Sequence, residues 1–224
     1  MHACRIKVAD AAAGGGYREV AAYDGLLFKH MKLVSIPDAE VVHLLTSRGT
    51  FGQTPSRIYL GRETAGHQAK ALLRITRTLL GRKRCPTVIV DTEEVLRGPF
   101  KSSARVAGIL GFGKLGRDHF HLLDDQMPLR WDKLSSFLEK HRDSRIFFLG
   151  STFMIWQHIV LAARDDGRQF DVMDAVLIHG GGWKKLVDQA VGPQDFAPAL
   201  TKRFGIQTVR NDYGMVEPVG SIHS

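Results

Sequence analysis

The sequence predicts an α/β fold in which a mostly parallel sheet carries helices on both faces. From residue 64 onward, amphipathic helical segments alternate with short apolar segments rich in β-branched residues, and the latter are typical of buried strands. Helices of this length between strands favour parallel crossovers and a sheet that is covered on both faces. Because ligands of such sheets bind beyond the carboxyl ends of the strands, chemistry is expected in the loops that follow them.

The elements follow one another in a regular order. The helix Thr64–Leu80 ends before Gly81, since glycine is a common stop signal. Its predicted apolar face consists of Ala69, Leu72, Leu73, Ile75 and Leu79. The strand Pro86–Asp91 and a loop-rich middle region come next. The later elements are the helix Trp131–His141, the strand Arg145–Gly150, the helix Thr152–Arg164, the strand Asp174–His179, the helices Trp183–Ala190 and Phe196–Phe204, and the strand Ile206–Val209.

The composition is that of a globular protein, with 44% apolar and 24% charged residues among 224. No apolar run approaches the roughly 20 residues that span a bilayer, and the start of the chain lacks the apolar block of a signal peptide. We therefore expect a cytoplasmic protein with a flexible leader over residues 1–25 and one domain over residues 26–224.

The net charge of +8 favours anionic partners. The basic residues are scattered over helical segments without the interleaved aromatic residues that stack bases, so solvated helix faces are expected rather than a nucleic-acid groove. Cys4 and Cys85 have neither metal-site nor disulfide spacing, and the ten histidines form no zinc pattern.

The first segment with residue types suited to nucleotide binding spans residues 46–57 and follows the apolar run Val41–Leu45. Backbone N–H groups and hydroxyls of such a glycine-containing loop surround phosphate oxygens, and Arg57 adds a positive charge. A polar turn is the alternative interpretation, since the same residue types dominate turns.

The second segment is Gly180–Gly182, directly after the strand that ends at His179. Three glycines let a flat ring such as a purine approach the backbone closely. A tight strand-to-helix turn, with Trp183 as a packing anchor, explains the same glycines equally well.

The third segment runs from Asn211 to Glu217. The ring of Tyr213 can stack on an aromatic base, and the carboxylate of Glu217 can hold Mg²⁺ bound to phosphates. A tyrosine and a glutamate at the end of a strand are also common as plain surface residues.

The order of the three segments resembles the adenylate-forming superfamily, and most closely its LuxE-type acyl-protein synthetases. The most specific stretches are His179–Lys185 (HGGGWKK) and Tyr213–Glu217 (YGMVE). The resemblance extends from about residue 26 to the end, with support from Leu27–His30, Leu45–Ser47, Gln53, Ser56–Ile58, Arg62–Thr64, Ala104–Gly113 and Gly116–His119.

The resemblance implies part of the large N-terminal subdomain of the adenylate-forming fold, with residues 26–224 as the nucleotide-binding adenylation core. Gly180, Gly181 and Gly182 would border the adenine and Tyr213 would stack on it. Glu217 would position Mg²⁺ and, with Thr50, take part in catalysis. The ATP phosphates would be bound by Thr46, Ser47, Gly49, Thr50, Gly52 and Arg57. Phe153 and Trp156 are candidates for the acyl pocket, although a core-facing helix stripe explains them equally well.

The implied reaction is the activation of a carboxylic acid, in the first place a fatty acid, by ATP with Mg²⁺ as cofactor. The acyl group would pass to a protein thiol, with a fatty acyl reductase as one possible acceptor. Arg48 and Phe51 depart from the phosphate-loop pattern, and the C-terminal subdomain of the family would lie beyond Ser224. We therefore expect weak or absent catalysis by this chain alone, and a non-catalytic fragment that binds nucleotide or a partner is the alternative.

A different class of protein is suggested by Gly111–Gly116 (GFGKLG), which matches G-x-G-x-x-G after the apolar run Val106–Leu110. This pattern binds dinucleotides when it joins a strand to a helix. A lone match is weak, so an NAD(P)-binding oxidoreductase is the less favoured prediction.

Overall fold

The computed structural model of the chain describes residues 4–9, 17–22, 27–46, 54–97, 104–183, 188, 190–213 and 222–223. Its strands are β1 (Cys4–Ala9), β2 (Tyr17–Ala22), β3 (Val41–Thr46), β4 (Arg57–Gly61), β5 (Cys85–Ile89), β6 (Gly116–His121), β7 (Ile146–Ser151), β8 (Ala175–Gly180), β9 (Thr208–Tyr213) and β10 (Ile222–His223). Its helices are α1 (Leu27–His30), α2 (Arg62–Leu80), α3 (Ala104–Gly113), α4 (Trp131–Lys140), α5 (Thr152–Ile155), α6 (Ala162–Asp165) and α7 (Pro193–Phe204). A π-helical turn, Trp156–Leu161, joins α5 to α6, and 3₁₀ turns cover Asp38–Glu40 and Glu94–Leu96.

The main sheet of the described residues has the order β10-β9-β8-β7-β5-β6. The strands β6, β5, β7, β8 and β9 are parallel, and β10 pairs antiparallel with β9 at the edge. The chain leaves β5 toward β6 on one side and leaves β7 toward β8 on the other. The topological switch point of the sheet therefore lies between the carboxyl ends of β5 and β7.

Side chains alternate between the two faces of the sheet and join two apolar layers. Phe147 and Leu149 of β7 pack with α2 and α3, whereas Ile146 and Phe148 pack with α4 to α7. Cys85 is buried in the first layer, and desolvation by this burial raises the pKa of its thiol. The predicted mostly parallel sheet with helices on both faces is confirmed.

The helix α2 begins two residues before the predicted start and ends at Leu80 as predicted. Its buried face differs from the prediction, because Thr76 and Leu80 are buried whereas Ala69 and Leu73 are exposed. The hydroxyl of Thr76 donates a hydrogen bond to the carbonyl of Leu72 at 2.6 Å. A threonine whose hydroxyl is hydrogen-bonded in this way can occupy a buried helix position. The apolar pattern alone therefore predicted the wrong side of α2 as its buried face.

The predicted loop-rich middle region contains the helix α3 and the strand β6. Three glycines, Gly108, Gly111 and Gly113, weaken the helical signal of α3. The strand β6 (GRDHFH) has few apolar residues because it lies at the edge of the main sheet. Both elements therefore lack the apolar periodicity on which the sequence prediction depended.

Near both ends of the chain, the observed elements differ from the predicted ones. The strands β1 and β2 pair antiparallel within the segment for which a flexible leader was expected. Most of the predicted helix Trp183–Ala190 lies outside the described residues. The helix α7 begins three residues before its predicted start. The strand β9 begins two residues after its predicted start and ends four residues beyond its predicted end. Within the described residues, none of the helices combines the length and the apolar character needed to cross a bilayer.

Candidate active site

Two of the predicted segments lie side by side at the carboxyl edge of the main sheet. Gly180 at the end of β8 is the register partner of Asp212 in β9 and of Ser151 in β7. Tyr213 is the last residue of β9, so its backbone directly follows the partner of Gly180. The structure thus brings the glycine turn and the start of the tyrosine segment together, although they are far apart in sequence.

The glycine turn is open on its outer side and crowded at its base. A Cβ atom on Gly180 would lie 2.8 Å from the carbonyl oxygen of Asp212, so the two strands approach too closely for a side chain. Gly181 has φ +78°, which favours glycine, and a Cβ on Gly182 would meet no atom of the described residues within 4 Å. Gly181 and Gly182 are both exposed. Among the described residues, nothing therefore blocks a flat ring from this stretch of backbone.

A hydrogen-bond network beneath the turn fixes its geometry. The hydroxyl of Thr152 lies 2.8 Å from the carbonyl oxygen of Gly181 and 2.9 Å from Nδ1 of His179. A carbonyl only accepts, so the hydroxyl proton goes to Gly181, and we assign the proton of the neutral imidazole to Nδ1, which then donates to Thr152. The first residue of α5 thereby holds the end of β8.

His179 is buried, and this burial lowers the pKa of its imidazole to about 4. The ring is therefore neutral near pH 7. It packs against Phe196 with ring centroids 4.6 Å apart, and Phe196 in turn contacts Trp156 at 5.8 Å and Trp183 at 6.0 Å. Trp183 therefore packs against an aromatic cluster immediately after the three glycines. Trp156, a predicted acyl-pocket residue, belongs to the same cluster.

The carboxyl end of β5 carries an ion pair that the sequence did not indicate. Both carboxylate oxygens of Asp91 accept hydrogen bonds from the guanidinium of Arg105 in α3, and the Nε bond measures 2.5 Å. The Cζ atom of Arg105 lies 5.8 Å from the ring centroid of Phe153, the second predicted acyl-pocket residue. Asp91 and Arg105 are 14 positions apart, so no short motif could have revealed the pair.

The predicted phosphate loop connects the antiparallel strands β3 and β4. Thr46 at the end of β3 is the register partner of Arg57 at the start of β4, so the two predicted phosphate-binding residues flank the connection. Thr46 is half-buried and Arg57 is exposed. The other predicted residues of this loop lie outside the described residues, namely Ser47, Gly49, Thr50 and Gly52, and so do Arg48, Phe51 and the predicted Mg²⁺ residue Glu217.

The structure contradicts the dinucleotide-binding interpretation of Gly111–Gly116. Gly111 and Gly113 end the helix α3, and Gly116 begins the strand β6. The motif thus joins a helix to a strand, the reverse of the order in which a helix N-terminus receives a pyrophosphate. Gly116 has a packing role instead, since a Cβ there would lie 2.0 Å from Oγ1 of Thr87.

The fold matches that of a known ligase. The chain is similar to the crystal structure of an open conformation of 2-hydroxyisobutyryl-CoA ligase in complex with 2-HIB-AMP and CoA, with a TM-score of 0.51 and 18% sequence identity. The match covers 80% of this chain and 35% of that chain, so this chain spans about a third of the ligase. No curated protein matches the chain. At this level of identity the likeness shows the fold class alone, which is that of part of this ligase.

Within that class, the sequence itself gives the family. The family model described as acyl-protein synthetase, LuxE, matches residues 2–222, and the chain belongs to this family. The resemblance drawn from His179–Lys185 and Tyr213–Glu217 is thereby confirmed.

Proposed function

We propose that this chain is the nucleotide-binding core of an enzyme that activates a carboxylic acid with ATP and passes the acyl group to a protein thiol. The single observation that carries the proposal is the open turn Gly180–Gly182 beside the end of β9, at the carboxyl edge of a parallel sheet. Membership of the LuxE acyl-protein synthetase family supports the same chemistry. A fatty acid is the proposed substrate, and a fatty acyl reductase is a proposed acceptor.

The proposed reaction has two steps. A carboxylate oxygen attacks the α-phosphorus of ATP, the bond to the β-phosphate oxygen breaks, and pyrophosphate leaves with that electron pair. A thiolate then attacks the acyl carbon, AMP leaves, and the thiol proton passes to solvent. Alignment of the reactants and electrostatic stabilisation of the leaving group supply most of the rate in such reactions.

The proposed residue roles follow the family resemblance. Gly180–Gly182 and Tyr213 bind the adenine, Phe153 and Trp156 contribute to the acyl pocket, and Glu217 with Thr50 serves catalysis. Mg²⁺, positioned by Glu217, would neutralise phosphate charge. The phosphates are assigned to Thr46, Ser47, Gly49, Thr50, Gly52 and Arg57.

The adenine assignment is tested with the variant Gly182→Val. A Cβ at this position would meet no atom of the described residues within 4 Å, so the fold should persist while the added bulk blocks a ring from the turn. We expect the Kd for Mg·ATP, measured by isothermal titration calorimetry, to rise at least about tenfold, a loss of roughly 1.4 kcal/mol. Gly66→Ala in α2, where a Cβ also meets no atom of the described residues within 4 Å, is the control and should leave the Kd unchanged.

Acid activation is tested by ATP–pyrophosphate exchange in the presence of medium- and long-chain fatty acids. Exchange that depends on the acid supports the full proposal. Binding of ATP without exchange for any acid supports the second candidate function, a core that binds nucleotide without turnover, which the altered loop residues Arg48 and Phe51 favour. An equal loss of ATP affinity in Gly182→Val and Gly66→Ala would contradict the adenine assignment.

A further inference from the structure

The crevice between the carboxyl ends of β5 and β7 is the topological switch point of the main sheet. Asp91 and Thr92 follow β5 on one side of this crevice, and Thr152 and Phe153 follow β7 on the other. The two strand ends are bonded directly, since the N–H of Val90 donates to the carbonyl of Leu149 at 2.8 Å. Any group held in this crevice is therefore in reach of residues from both strand ends.

Asp91 fixes the orientation of the Arg105 guanidinium, which is the positive charge of this crevice. Its side chain has no exposed surface, whereas that of Arg105 retains 20% of its surface. One carboxylate oxygen accepts from Nη2 of Arg105 and from the backbone N–H of Thr92 at 2.8 Å, and the other accepts from Nε of Arg105 at 2.5 Å. Such bidentate contacts hold the planar guanidinium in one orientation.

The bonds to Asp91 occupy only one edge of the guanidinium. They use Nε and Nη2, and Nη1 of Arg105 makes no hydrogen bond to any described residue. The guanidinium also lies over the ring of Phe153, with Cζ 5.8 Å from the centroid. The second edge, formed by Nη1 and Nη2, has the geometry that accepts another carboxylate in two parallel hydrogen bonds.

Ser151 is a further polar residue at the carboxyl end of β7 that calls for a partner. Its Oγ atom is buried at the end of β7 and has no hydrogen-bond partner among the described residues. Buried polar atoms in native proteins nearly always have a partner, so an atom of this kind calls for a water or a ligand oxygen. A purely alkyl occupant of the crevice would leave the second edge of Arg105 unsatisfied.

We infer that Arg105 binds the carboxylate of the acid substrate through its second edge, beside Phe153, and that Asp91 is the positioning residue that holds Arg105 for this contact. The inference rests on the proposed function and specifies how its acid is recognised. The inference also explains why Asp91 and Arg105 form a buried ion pair. Such pairs contribute little to stability, whereas a guanidinium edge left open at the ends of the strands can bind a ligand.

The test compares two variants with the wild-type chain. Arg105→Met removes the guanidinium but leaves Asp91 buried without its partner, which threatens the fold. The double variant Asp91→Asn/Arg105→Met removes both charges, and thermal unfolding shows which variants are folded. Arg145→Met is the control, because Arg145 forms an exposed ion pair with Asp174 at 2.8 Å near the amino end of β7, away from the crevice.

Binding is measured by calorimetry at saturating α,β-methylene-ATP, which binds like ATP but cannot release pyrophosphate. The probes are straight-chain carboxylates of four to fourteen carbons and the primary amide of the best-bound acid. For the double variant we expect the Kd of the carboxylate to rise roughly 10- to 100-fold. The Kd values of the amide and of the nucleotide should not change, and Arg145→Met should match the wild type.

Several results would overturn the inference. If the variant weakened the binding of the carboxylate and of the amide equally, the Asp91–Arg105 pair would serve only to attach α3 to β5. If it weakened the binding of the nucleotide as well, Arg105 would bind a phosphate. A wild-type chain that binds the nucleotide but none of the carboxylates would refute the inference and leave nucleotide binding intact. A wild-type chain that binds no nucleotide would refute the proposed function itself.

Discussion

The polar residues at the strand ends act in pairs drawn from distant parts of the sequence. Thr152 bonds to His179 and Gly181 from 27 and 29 positions away. The glycines themselves stand out in the sequence as a candidate site, because three of them in a row follow an apolar strand. The hydroxyl and the imidazole that hold them could not, since single Thr and His residues carry no local signal and only the parallel register brings them together.

The neutral state of His179 predicts a specific dependence of stability on pH. The pKa of its imidazole is lowered from 6.5 to about 4 in the folded chain, so the unfolded chain binds the proton more tightly. The stabilising contribution is therefore complete above about pH 6.5 and is lost as the pH falls from there toward 4. Over this window the loss approaches about 3 kcal/mol in the free energy of unfolding.

His179→Asn is the variant that tests this dependence, since its amide can replace the Nδ1 donor but does not titrate. Urea unfolding at pH values from 7.5 to 4.5 should show a smaller decline in the free energy of unfolding for the variant than for the wild type. Burial also lowers the pKa values of His121 and His158, so both proteins retain some decline. Parallel curves for the two proteins would contradict the role assigned to His179.

At the scale of elements, glycine explains where sequence prediction succeeded and where it failed. Gly81 ended the predicted helix α2 at the correct residue, because its φ of +81° is a conformation that glycine adopts readily. In α3, Gly108 and Gly111 lie inside a helix and obscured it. The GFGKLG pattern was read as a possible ligand motif, whereas Gly116 is required by the close packing of β6 on β5.

Two glycine-to-alanine variants separate these roles. Gly116→Ala forces a methyl group against Oγ1 and Cβ of Thr87, at 2.0 and 2.9 Å, and should lower the free energy of unfolding by about 1–3 kcal/mol. In Gly108→Ala, in the interior of α3, the added Cβ meets no atom of the described residues within 4 Å, and the free energy of unfolding should rise by about 0.5–1 kcal/mol. Urea denaturation checks both, and stabilisation by Gly116→Ala would contradict the packing argument.

At the scale of the whole molecule, the alternation of helices and strands was sufficient to predict the parallel sheet and its two covering layers. It gave no information on the pairs β1–β2 and β3–β4, which stand outside the main sheet. The residues 46–57 were expected to follow a strand, and the structure adds that β3 and β4 pair antiparallel on either side of them. Antiparallel pairing depends on turn geometry, which the apolar pattern of a single strand does not encode.

The two layers share one sheet, and we expect them to unfold as a single cooperative unit. Phe147 and Phe148 are both fully buried but face opposite layers, so either change to alanine should cost about 3–5 kcal/mol. The tryptophans Trp131, Trp156 and Trp183 all lie in or against the layer formed by α4 to α7. Their fluorescence therefore reports that layer, whereas far-ultraviolet circular dichroism reports both.

In Phe147→Ala the damage lies in the layer of α2 and α3, which holds none of these three tryptophans. Cooperative unfolding predicts that fluorescence and circular dichroism still give the same urea midpoint, lowered by the same amount. The control Leu110→Ala changes a side chain on α3 that is 52% exposed, and its free energy of unfolding should stay within about 0.5 kcal/mol of the wild type. A fluorescence midpoint that stays at the wild-type value while the circular dichroism midpoint falls would show that the two layers unfold separately.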